Sequence, residues 1–303
     1  MRKTNTFILL LFTTLAMAAC APQAEIYNQG SNGSGNQSEG TGGGEVTDPG
    51  EVTDPGDITD PGDVTTPDPN DVVDAFPDDA IKFDRPWQRR ADTSIVIDAY
   101  QGNSIDWDKM AKDPRVAGVI HRATIGLQVD TKYQSRQATA KQRGYLWGAY
   151  HLGRPGDPIA QAQLFLQTIG DATDVLMVLD LEDTSSGSFM NITNAKKFMQ
   201  YVYQQTGKIP VVYANHSVTK SLSSSLKSDP LFQNSRLWYA RFRSDIPDFP
   251  DTLWNTYFLW QFSSEINCSA TGKCLYNVPG TQYDMDINVF YGSRAALASQ
   301  WSL

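Results

Sequence analysis

Acidic side chains follow strongly apolar runs at several points of this 303-residue chain. Asp98 ends the run Ser-Ile-Val-Ile-Asp, and Asp180 and Glu182 end the run Val-Leu-Met-Val-Leu-Asp-Leu-Glu. Asp286 lies in Tyr-Asp-Met-Asp-Ile-Asn-Val-Phe. Because side chains alternate between the two faces of a strand, Asp180 and Glu182 point the same way, whereas Asp183 does not. We expect the four acids other than Asp183 to meet at one end of a sheet.

Clustered carboxylates in a chain poor in His and Cys favour acid–base chemistry. Burial and mutual repulsion raise some pKa values, so one acid stays protonated beside ionised neighbours. One member of such a pair can protonate a leaving oxygen while the other stabilises positive charge or activates water, which is the chemistry of glycoside hydrolysis. Two alternatives are helix N-caps and a metal site, although the His spacing typical of metal ligands is absent. We expect no metal and no cofactor.

Eight apolar runs bounded by turn signals predict the strands that position these acids. They are residues 94–99, 116–122, 145–150, 175–181, 209–213, 237–242, 257–261 and 285–290. Helical segments fit between several of them, at residues 106–112, 133–143, 158–169 and 193–206. This alternation predicts an α/β fold with a buried parallel sheet, closed as an irregular (β/α) TIM-like barrel with some helices short or missing. A doubly wound open sheet is the main alternative, although no Gly-rich phosphate loop follows the first strand.

Seven motifs occur in the order typical of one enzyme family. They are Asp98-Ala-Tyr-Gln-Gly102, Ile105-Asp-Trp107, Arg122-Ala-Thr-Ile-Gly126, Gly148-Ala-Tyr-His151, Leu179-Asp-Leu-Glu182, Trp260-Gln-Phe-Ser263 and Met285-Asp-Ile-Asn-Val-Phe290. As a set, spanning about residues 95–292, they resemble glycoside hydrolase family 25, the Chalaropsis-type lysozymes or N-acetylmuramidases. The resemblance implies an irregular βα barrel that cleaves the β-1,4 bond from N-acetylmuramic acid to N-acetylglucosamine in peptidoglycan.

The resemblance also implies roles for individual residues. Glu182 matches the general acid, and Asp98 and Asp180 match the partners that hold the substrate's acetamido group or activate water. Asp286 completes the acidic floor. The aromatic side chains that match positions lining the family's groove are Tyr150, Tyr213, Trp238 and Trp260, although a barrel core also needs large side chains. His151 fits a structural hydrogen bond as well as a role in the site.

Two positions depart from the family's pattern. Ile125 stands where the family usually has Glu, and Tyr100 stands where it often has a small hydroxyl residue. Both changes would alter the polarity of the groove and its sugar preference, while the main catalytic acids are retained. The alternatives to an active muramidase are therefore a catalytically weak or inactive peptidoglycan-binding lipoprotein, and a hydrolase of another acetamido-sugar polymer such as chitin.

The cysteines fit an exported protein. Cys268 and Cys274 form a closely spaced pair, which in an oxidising compartment predicts a disulfide that closes a local loop. A metal-binding pair is the alternative, although no His or Cys lies nearby to complete four ligands.

The N-terminus has the pattern of a bacterial lipoprotein signal. Two basic residues precede an apolar run at residues 7–15 that is too short to span a membrane, and Met17-Ala-Ala-Cys20 resembles a lipobox. We expect residues 1–19 to be removed and Cys20 to be lipidated, with cleavage as an ordinary secreted protein as the alternative. Ala21, in place of an Asp after the Cys, implies the outer membrane facing the periplasm in a diderm bacterium, and otherwise the cell surface.

Residues 20–88 have the composition of a tether. A stretch rich in Gly, Ser and Asn precedes the repeat Glu45-Val-Thr-Asp-Pro-Gly50, which recurs twice and then decays. One branched apolar residue per repeat cannot offset the entropy of ordering, so a disordered, solvated spacer is expected. Calcium binding by the Asp-Pro-Gly repeats is the alternative. We expect the remaining residues, 89–303, to form the catalytic domain.

Charge is divided unevenly along the chain. The net charge is −9, but residues 21–80 hold 14 acidic and no basic side chains, whereas residues 81–303 hold 20 acidic and 23 basic ones. The second segment is not basic enough to indicate nucleic acid as a partner, and it suits an anionic substrate or surface. We expect two partners, a peptidoglycan glycan strand and a membrane reached through the N-terminal lipid, and a monomeric protein.

Overall fold

A computed structural model describes residues 93–271 and 274–303. The signal peptide, the lipidated Cys20 and the tether predicted for residues 1–88 lie outside the described residues. Within the described part of the chain, none of the helices combines the length and the apolar character that crossing a membrane requires.

In the described residues, nine strands form a single sheet. They are β1 (Thr93–Ala99), β2 (Val116–Ile125), β3 (Gln128–Val129), β4 (Leu146–Leu152), β5 (Val175–Leu181), β6 (Val211–Asn215), β7 (Leu237–Ala240), β8 (Leu259–Ser263) and β9 (Asp286–Tyr291). Because β1 pairs with both β2 and β9, eight strands close into a barrel, and β3 only extends β2 as a hairpin. The predicted α/β barrel is confirmed.

The direction of β9 differs from the parallel arrangement that the sequence predicts. Six neighbouring pairs of the barrel are parallel: β1–β2, β2–β4, β4–β5, β5–β6, β6–β7 and β7–β8. In contrast, β9 is antiparallel to both of its neighbours, β1 and β8. The first residue of β9, rather than its last, therefore lies at the end of the barrel where the other strands finish.

Seven helices accompany the strands of the described chain. They are α1 (Trp107–Met110), α2 (Tyr133–Gln142), α3 (Pro158–Ile169), α4 (Ile192–Thr206), α5 (His216–Ser225), α6 (Pro230–Gln233) and α7 (Arg294–Trp301). The first four lie where the sequence predicts helices, whereas β3, α5, α6 and α7 were not predicted. The Ser- and Thr-rich α5 has a low intrinsic helix propensity. It forms because the Asn215 side chain accepts the backbone N–H of Val218 and because Val218 and Leu222 are buried.

Strand alternation separates the buried side chains into two layers. On β5, Leu176 and Val178 pack inside the barrel, whereas Met177 and Leu179 belong to the larger outer core that includes helix side chains. Helix α7 covers the end of the barrel where strands begin, since the buried Trp301 donates from Nε1 to the carbonyl oxygen of Trp147, at 2.7 Å. The opposite end of the barrel, where the parallel strands finish, is not covered by α7 and holds the candidate active site.

Candidate active site

The four predicted acids lie at the end of the barrel opposite α7, which we call the mouth. Asp98 is near the end of β1, Asp180 is near the end of the parallel β5, and Glu182 directly follows β5. Asp286 reaches the same end from the other direction, as the first residue of the antiparallel β9. Asp98 and Asp286 are paired in register across the two strands.

A hydrogen-bonded relay holds Asp98. The side-chain amide of Gln261 on β8 donates from Nε2 to Oδ2 of Asp98 at 2.7 Å. The Oε1 atom of the same amide accepts the hydroxyl of Tyr213 on β6 at 2.7 Å. Asp98 and Gln261 are buried, so this relay is shielded from water. One rigid amide therefore sets the position of the carboxylate and of the phenol together.

Asp180 and Glu182 differ in how they are held. Asp180 is buried, and among the described residues its Oδ1 atom has no hydrogen-bond partner. A buried acceptor without a donor is unfavourable, so Oδ1 is available to a donor that enters the mouth. Glu182 is half-buried, and its backbone oxygen accepts the Asn215 side-chain amide at 2.9 Å. This bond ties the end of β5 to the end of β6.

Burial and the negative charges of neighbouring acids raise the pKa values of all four acids. Burial is the largest cause in each case. It raises the pKa of Glu182 to about 7, with the charge of Glu265 adding to the effect. Burial and the charge of Glu182 raise the pKa values of Asp98 and Asp180. For Asp286 the charge of Asp98 follows burial as a cause. The cluster therefore retains protons near neutral pH.

Two arginines oppose this effect on one side of the mouth. Arg122 favours the ionised forms of Asp98 and Asp180, and Arg154 favours those of Asp180 and Glu182. Arg122 is fixed by an ion pair from Nε to Oδ2 of Asp130, at 3.3 Å, and by the ring of Tyr100, whose centroid lies 4.8 Å from Cζ. Negative charge is thus best stabilised beside Arg122.

Of the two residues that depart from the family's pattern, Tyr100 contacts this arginine and Ile125 lies three residues after it on β2. The Tyr100 ring is partly exposed, at 38%, and it occupies the space above Gly102, where any Cβ would come within 2.5 Å of the ring. Ile125 is half-buried at the end of β2 and pairs with Gln128 of the β3 hairpin. Tyr100 therefore covers Arg122 from solvent, and Ile125 adds apolar surface where β2 ends.

The four aromatic residues do not share one environment. Tyr150 and Tyr213 lie near the acids. Burial is the largest cause that raises the pKa of each phenol, and the negative charges of the acids raise it further. Trp238 packs edge-to-face on Tyr213, at 4.8 Å between ring centroids, and donates from Nε1 to Oδ1 of Asn288 at 2.6 Å. With 2% of its surface exposed, Trp238 supports Tyr213 and offers little area to a sugar.

The groove-lining role predicted for Trp260 requires a correction. Its side chain is fully buried in the outer core, on the face of β8 opposite Gln261, and its Nε1 atom donates to the backbone oxygen of Arg241 at 2.8 Å. Because neighbouring residues of a strand point to opposite faces, Gln261 rather than Trp260 faces the barrel interior. Trp260 is thus a core residue with no surface available to a sugar ring.

His151 also belongs to the outer core. Its ring atoms pair with Oγ1 of Thr124 at 2.7 Å and with Oε1 of Gln161 at 3.0 Å, and it stacks on Phe198. Burial lowers the pKa of His151 to about 4. Of the two roles that the sequence left open, the structure therefore supports the structural hydrogen bond.

Gln261, Arg122 and Glu265 lie at the mouth but were not among the predicted site residues, and neither was Arg154. Gln261 could have been found from the alternation along β8, and Arg122 from the motif that contains it. Glu265 lies in the loop after β8, where no strand or helix pattern indicates the direction of a side chain. Its charge nevertheless acts on Asp98, Glu182 and Asp286.

The predicted disulfide between Cys268 and Cys274 is present, with the two Cα atoms 4.2 Å apart. It closes part of the loop between β8 and β9, a short distance beyond Glu265. Within residues 93–271 and 274–303, no group of three or more His, Cys, Asp or Glu side chains has an arrangement that could hold a metal ion.

Comparison with known proteins identifies the family. The model of glycosyl hydrolases family 25 matches residues 95–271. The autolytic lysozyme of Clostridium acetobutylicum is 32% identical over 140 residues, which is 45% of this chain and only 43% of that protein. Lysozyme M1 of Streptomyces globisporus is 28% identical over 225 residues, or 68% of this chain and 71% of that protein.

A solved structure agrees with the barrel. The bacterial lysozyme from Streptomyces coelicolor matches 69% of this chain and 97% of its own, with a TM-score of 0.54 and 26% identity. The family match covers more than half of the chain and extends from within β1 to beyond the end of β8. This protein belongs to the glycosyl hydrolases of family 25.

Proposed function

We propose that this protein is a peptidoglycan-cleaving lysozyme, an N-acetylmuramidase that hydrolyses the β-1,4 bond between N-acetylmuramic acid and N-acetylglucosamine. One observation carries the proposal: Glu182, whose pKa burial raises to about 7, shares the mouth with Asp98 and Asp180, beside Arg122. A protonated acid next to carboxylates with a stabilising cation is the pairing that glycoside hydrolysis needs. Membership of the family and the two relatives named lysozymes support peptidoglycan as the substrate.

Glu182 acts as the general acid. With a pKa of about 7 it keeps its proton at mildly acidic pH and can give that proton to the glycosidic oxygen as the bond to the leaving sugar breaks. The bond from Asn215 to the backbone of Glu182 holds this residue at the end of β5, so the proton is delivered from a fixed position.

Asp98 and Asp180 act on the sugar carbon that loses the leaving group. Gln261 donates to Asp98, and Arg122 favours the charge on both carboxyls, so negative charge collects on this side of the mouth. Oδ1 of Asp180 accepts either the N–H of the substrate's acetamido group or a proton of the attacking water. The first route retains the anomeric configuration and the second inverts it, so the configuration of the first product distinguishes them. Asp286 completes the acidic floor.

Tyr150 and Tyr213 provide aromatic surface for the sugar next to these acids. Tyr150 is half-buried, and Tyr213 is 7% exposed with its hydroxyl held by Gln261. Flat rings suit the apolar faces of sugars. Trp238 contributes indirectly by packing on Tyr213.

The chain is also proposed to be a membrane-tethered, monomeric lipoprotein. The pattern of residues 1–19 supports an export signal, and Cys20 is the proposed lipidation site. Residues 20–88 then serve as a tether, and residues 89–303 act as the catalytic domain at some distance from the membrane, in the periplasm or at the cell surface. Radiolabelled palmitate should label the wild-type chain but not Cys20→Ala, and equal labelling of both would contradict lipidation.

The activity is tested with the full chain, purified in detergent and incubated with peptidoglycan beside Glu182→Gln. Released fragments are reduced with borohydride and examined by mass spectrometry. New reducing-end N-acetylmuramic acid from the wild type alone is the expected result, because the amide of the variant cannot donate the proton that Glu182 supplies.

Other outcomes separate the alternatives. Reducing-end N-acetylglucosamine would place the cut at the other glycosidic bond. No release, with binding to sedimented peptidoglycan intact, would favour the peptidoglycan-binding lipoprotein. Release from chitin in preference to peptidoglycan would favour a hydrolase of another acetamido-sugar polymer, for which the apolar Ile125 is the motivating difference.

A further inference from the structure

We propose that Tyr100 is a specificity-determining residue of this site: its ring is a platform at the mouth, on which the pyranose face of an N-acetyl sugar stacks beside the sugar that the acids act on. Tyr100 stands where the family often has a small hydroxyl residue, so the platform distinguishes this chain. The inference deepens the proposed function and rests on it for the identity of the glycan. Tyr100 binds substrate in this account and takes no part in proton transfer.

Tyr100 offers more surface than the four aromatic residues predicted to line the groove. It is 38% exposed, whereas Tyr213 and Trp238 are buried. Trp260 is buried in the outer core, and Tyr150 is half-buried. An aromatic ring stacks on a sugar only through surface that the sugar can reach. Of these five residues, Tyr100 therefore has the most surface to offer.

The strand register places this ring beside the acids. Asp98 of β1 pairs with Ile120 of the parallel β2, so continuing the register puts residue 100 opposite residue 122. Ile120 packs inside the barrel, and Arg122, two residues further along β2, lies on the same face. The Tyr100 ring contacts Arg122 there, with 4.8 Å between Cζ and the ring centroid. The ring therefore lies at the mouth, two residues beyond Asp98.

Arg122 connects this ring to the aromatic surface already assigned to the site. It pairs in register with Tyr150 on β4. Tyr100, Arg122 and Tyr150 thus form a row that crosses from β1 over β2 to β4. Neighbouring strands lie about 4.8 Å apart, so roughly 10 Å separates the backbones of the two tyrosines. That spacing lets the two rings contact different sugars of one glycan strand.

Hydrogen bonds of the main chain hold the segment that carries the ring. The backbone N–H of Tyr100 donates to Oδ1 of Asn103 at 2.8 Å, and its carbonyl oxygen accepts the Asn103 N–H at 3.1 Å. The next N–H, of Gln101, donates to Oδ2 of the buried Asp130 at 2.9 Å. The same oxygen holds Arg122. A platform that is fixed before the sugar arrives loses little entropy on binding.

Gly102 provides a way to move the ring without removing it. A Cβ at this position would lie 2.4 Å from Cζ of Tyr100 and 2.5 Å from its Cε2 and Oη atoms. These atoms form the far end of the side chain, so the ring would move and the backbone would not. Gly102→Ala therefore displaces the platform and leaves the acids in place.

The platform is tested by binding, in a background without turnover. Full-length Glu182→Gln in detergent is titrated calorimetrically with a tetrasaccharide of alternating N-acetylglucosamine and N-acetylmuramic acid. Tyr100→Ala, Tyr100→Phe and Gly102→Ala are each added to this background, and urea unfolding checks that each variant is folded. The matched controls are Tyr203→Ala, a 42% exposed tyrosine on α4, and Gly187→Ala, whose added Cβ meets no atom within 4 Å.

We expect the Kd to rise by roughly tenfold in Tyr100→Ala, because the stacking surface is lost. Tyr100→Phe should match the parent, since stacking needs the ring and not the hydroxyl. Gly102→Ala should raise the Kd in the same direction as Tyr100→Ala, and both controls should leave it unchanged. In the active enzyme, Tyr100→Ala should raise KM and change kcat by less than about twofold, because the ring does not touch the reacting atoms.

An unchanged Kd in Tyr100→Ala, or an equal rise in Tyr100→Phe or Tyr203→Ala, would overturn the inference. A parent that does not bind the tetrasaccharide would overturn it as well. If Tyr100→Ala does not fold, an unchanged Kd in Gly102→Ala has the same meaning.

Failure of the inference is distinct from failure of the proposed function. Cleavage by the wild type with an unchanged KM in Tyr100→Ala would retain the lysozyme and refute the platform. Weaker binding by Tyr100→Ala in a chain that does not cleave peptidoglycan would refute the lysozyme and retain the platform.

Discussion

Gln261 links Tyr213 to Asp98 through the two ends of one side-chain amide. The amide accepts the phenol hydroxyl at 2.7 Å and donates to the carboxylate at 2.7 Å, so three strands, β6, β8 and β1, are joined at the mouth. The donor orients Asp98 and favours its ionised form, against the effects of burial and of neighbouring acids. Gln261, which has no acid–base chemistry of its own, thus influences the ionisation of Asp98, which has.

Replacement of Gln261 should therefore reduce catalysis more than substrate binding. Gln261→Leu leaves Asp98 without its amide donor and the Tyr213 hydroxyl without its acceptor. We expect kcat to fall by about tenfold or more while KM changes little, and stability to fall by about 1–3 kcal/mol. Steady-state kinetics on soluble glycan fragments and urea unfolding measure the two effects. Gln163→Leu, which removes an exposed Gln–Tyr bond on α3, is the control and should leave kcat unchanged.

Removal of Arg122 should shift the acid limb of the pH profile. Its positive charge lowers the pKa values of Asp98 and Asp180, so Arg122→Gln should raise them further and require a higher pH for ionisation. We expect the acid limb of kcat/KM to move up by roughly half to one pH unit.

Arg115→Gln is the matched control for Arg122. Arg115 also pairs with an aspartate, Asp113, and lies over a tyrosine ring, Tyr276, but it precedes β2 at the opposite end of the barrel. Its removal should lower stability without moving the acid limb. Equal shifts in both variants would show that the effect of Arg122 is not local.

Replacement of Trp260 should lower the stability of the protein and leave substrate binding unchanged. Trp260→Phe leaves the backbone oxygen of Arg241 without its indole donor and removes buried ring area from the outer core. We expect a loss of about 1–3 kcal/mol in the free energy of unfolding. The KM of the folded enzyme should equal the wild-type value. A large rise in KM with stability unchanged would instead restore the groove-lining role that the family resemblance implied.

The raised pKa of Glu182 should cost the protein stability at alkaline pH. Its folded pKa, about 7, lies above the ordinary value of 4.5, so between these values the native state holds a proton that the unfolded state has released. Stability therefore falls as pH rises through this window, and the full cost is reached above pH 7. Glu182→Gln removes it and should be more stable than the wild type at pH 8, by about 1–3 kcal/mol.

Urea unfolding at pH 4 and pH 8 checks this prediction. The two proteins should be equally stable at pH 4, where Glu182 is protonated in both states and resembles the neutral amide. Asp174→Asn, which removes an exposed acid directly before β5, should show no such gain at pH 8. A Glu182→Gln variant that is less stable than the wild type at pH 8 would contradict the prediction.

Much of the barrel was predictable because its strands are buried on both faces. The run that became β5 is apolar on its inner and outer faces alike, and it ends in Asp180 and Glu182 at the predicted place. Helices α3 and α4 carry recognisable start signals, Asp157 with Pro158 and Asn191, and were also predicted. Local pattern decides such elements, because neighbouring residues supply both the cap and the buried face.

The remaining features depend on contacts between distant residues. The direction of β9 is set by its pairing with β1 and β8, and that pairing brings Asp286 to the mouth at the beginning of a strand. Gln261, rather than the predicted Trp260, lies in the site because its face of β8 is the one that faces the barrel interior. A shift of one residue along a strand reverses the face on which a side chain lies. The position of Glu265 depends on the path of a loop, which has no periodic pattern.

The sequence by itself determined the residue types of the site, the strands that carry Asp98, Asp180 and Glu182, and the cysteine pair, because these rest on local apolar runs and short spacings. Only the tertiary structure decided that Gln261 and Tyr213 hold Asp98, and that Arg122 and Glu265 act on the acids from separate elements. The physical reason is that burial and Coulomb interactions depend on distances across the closed barrel, which separation along the chain does not set.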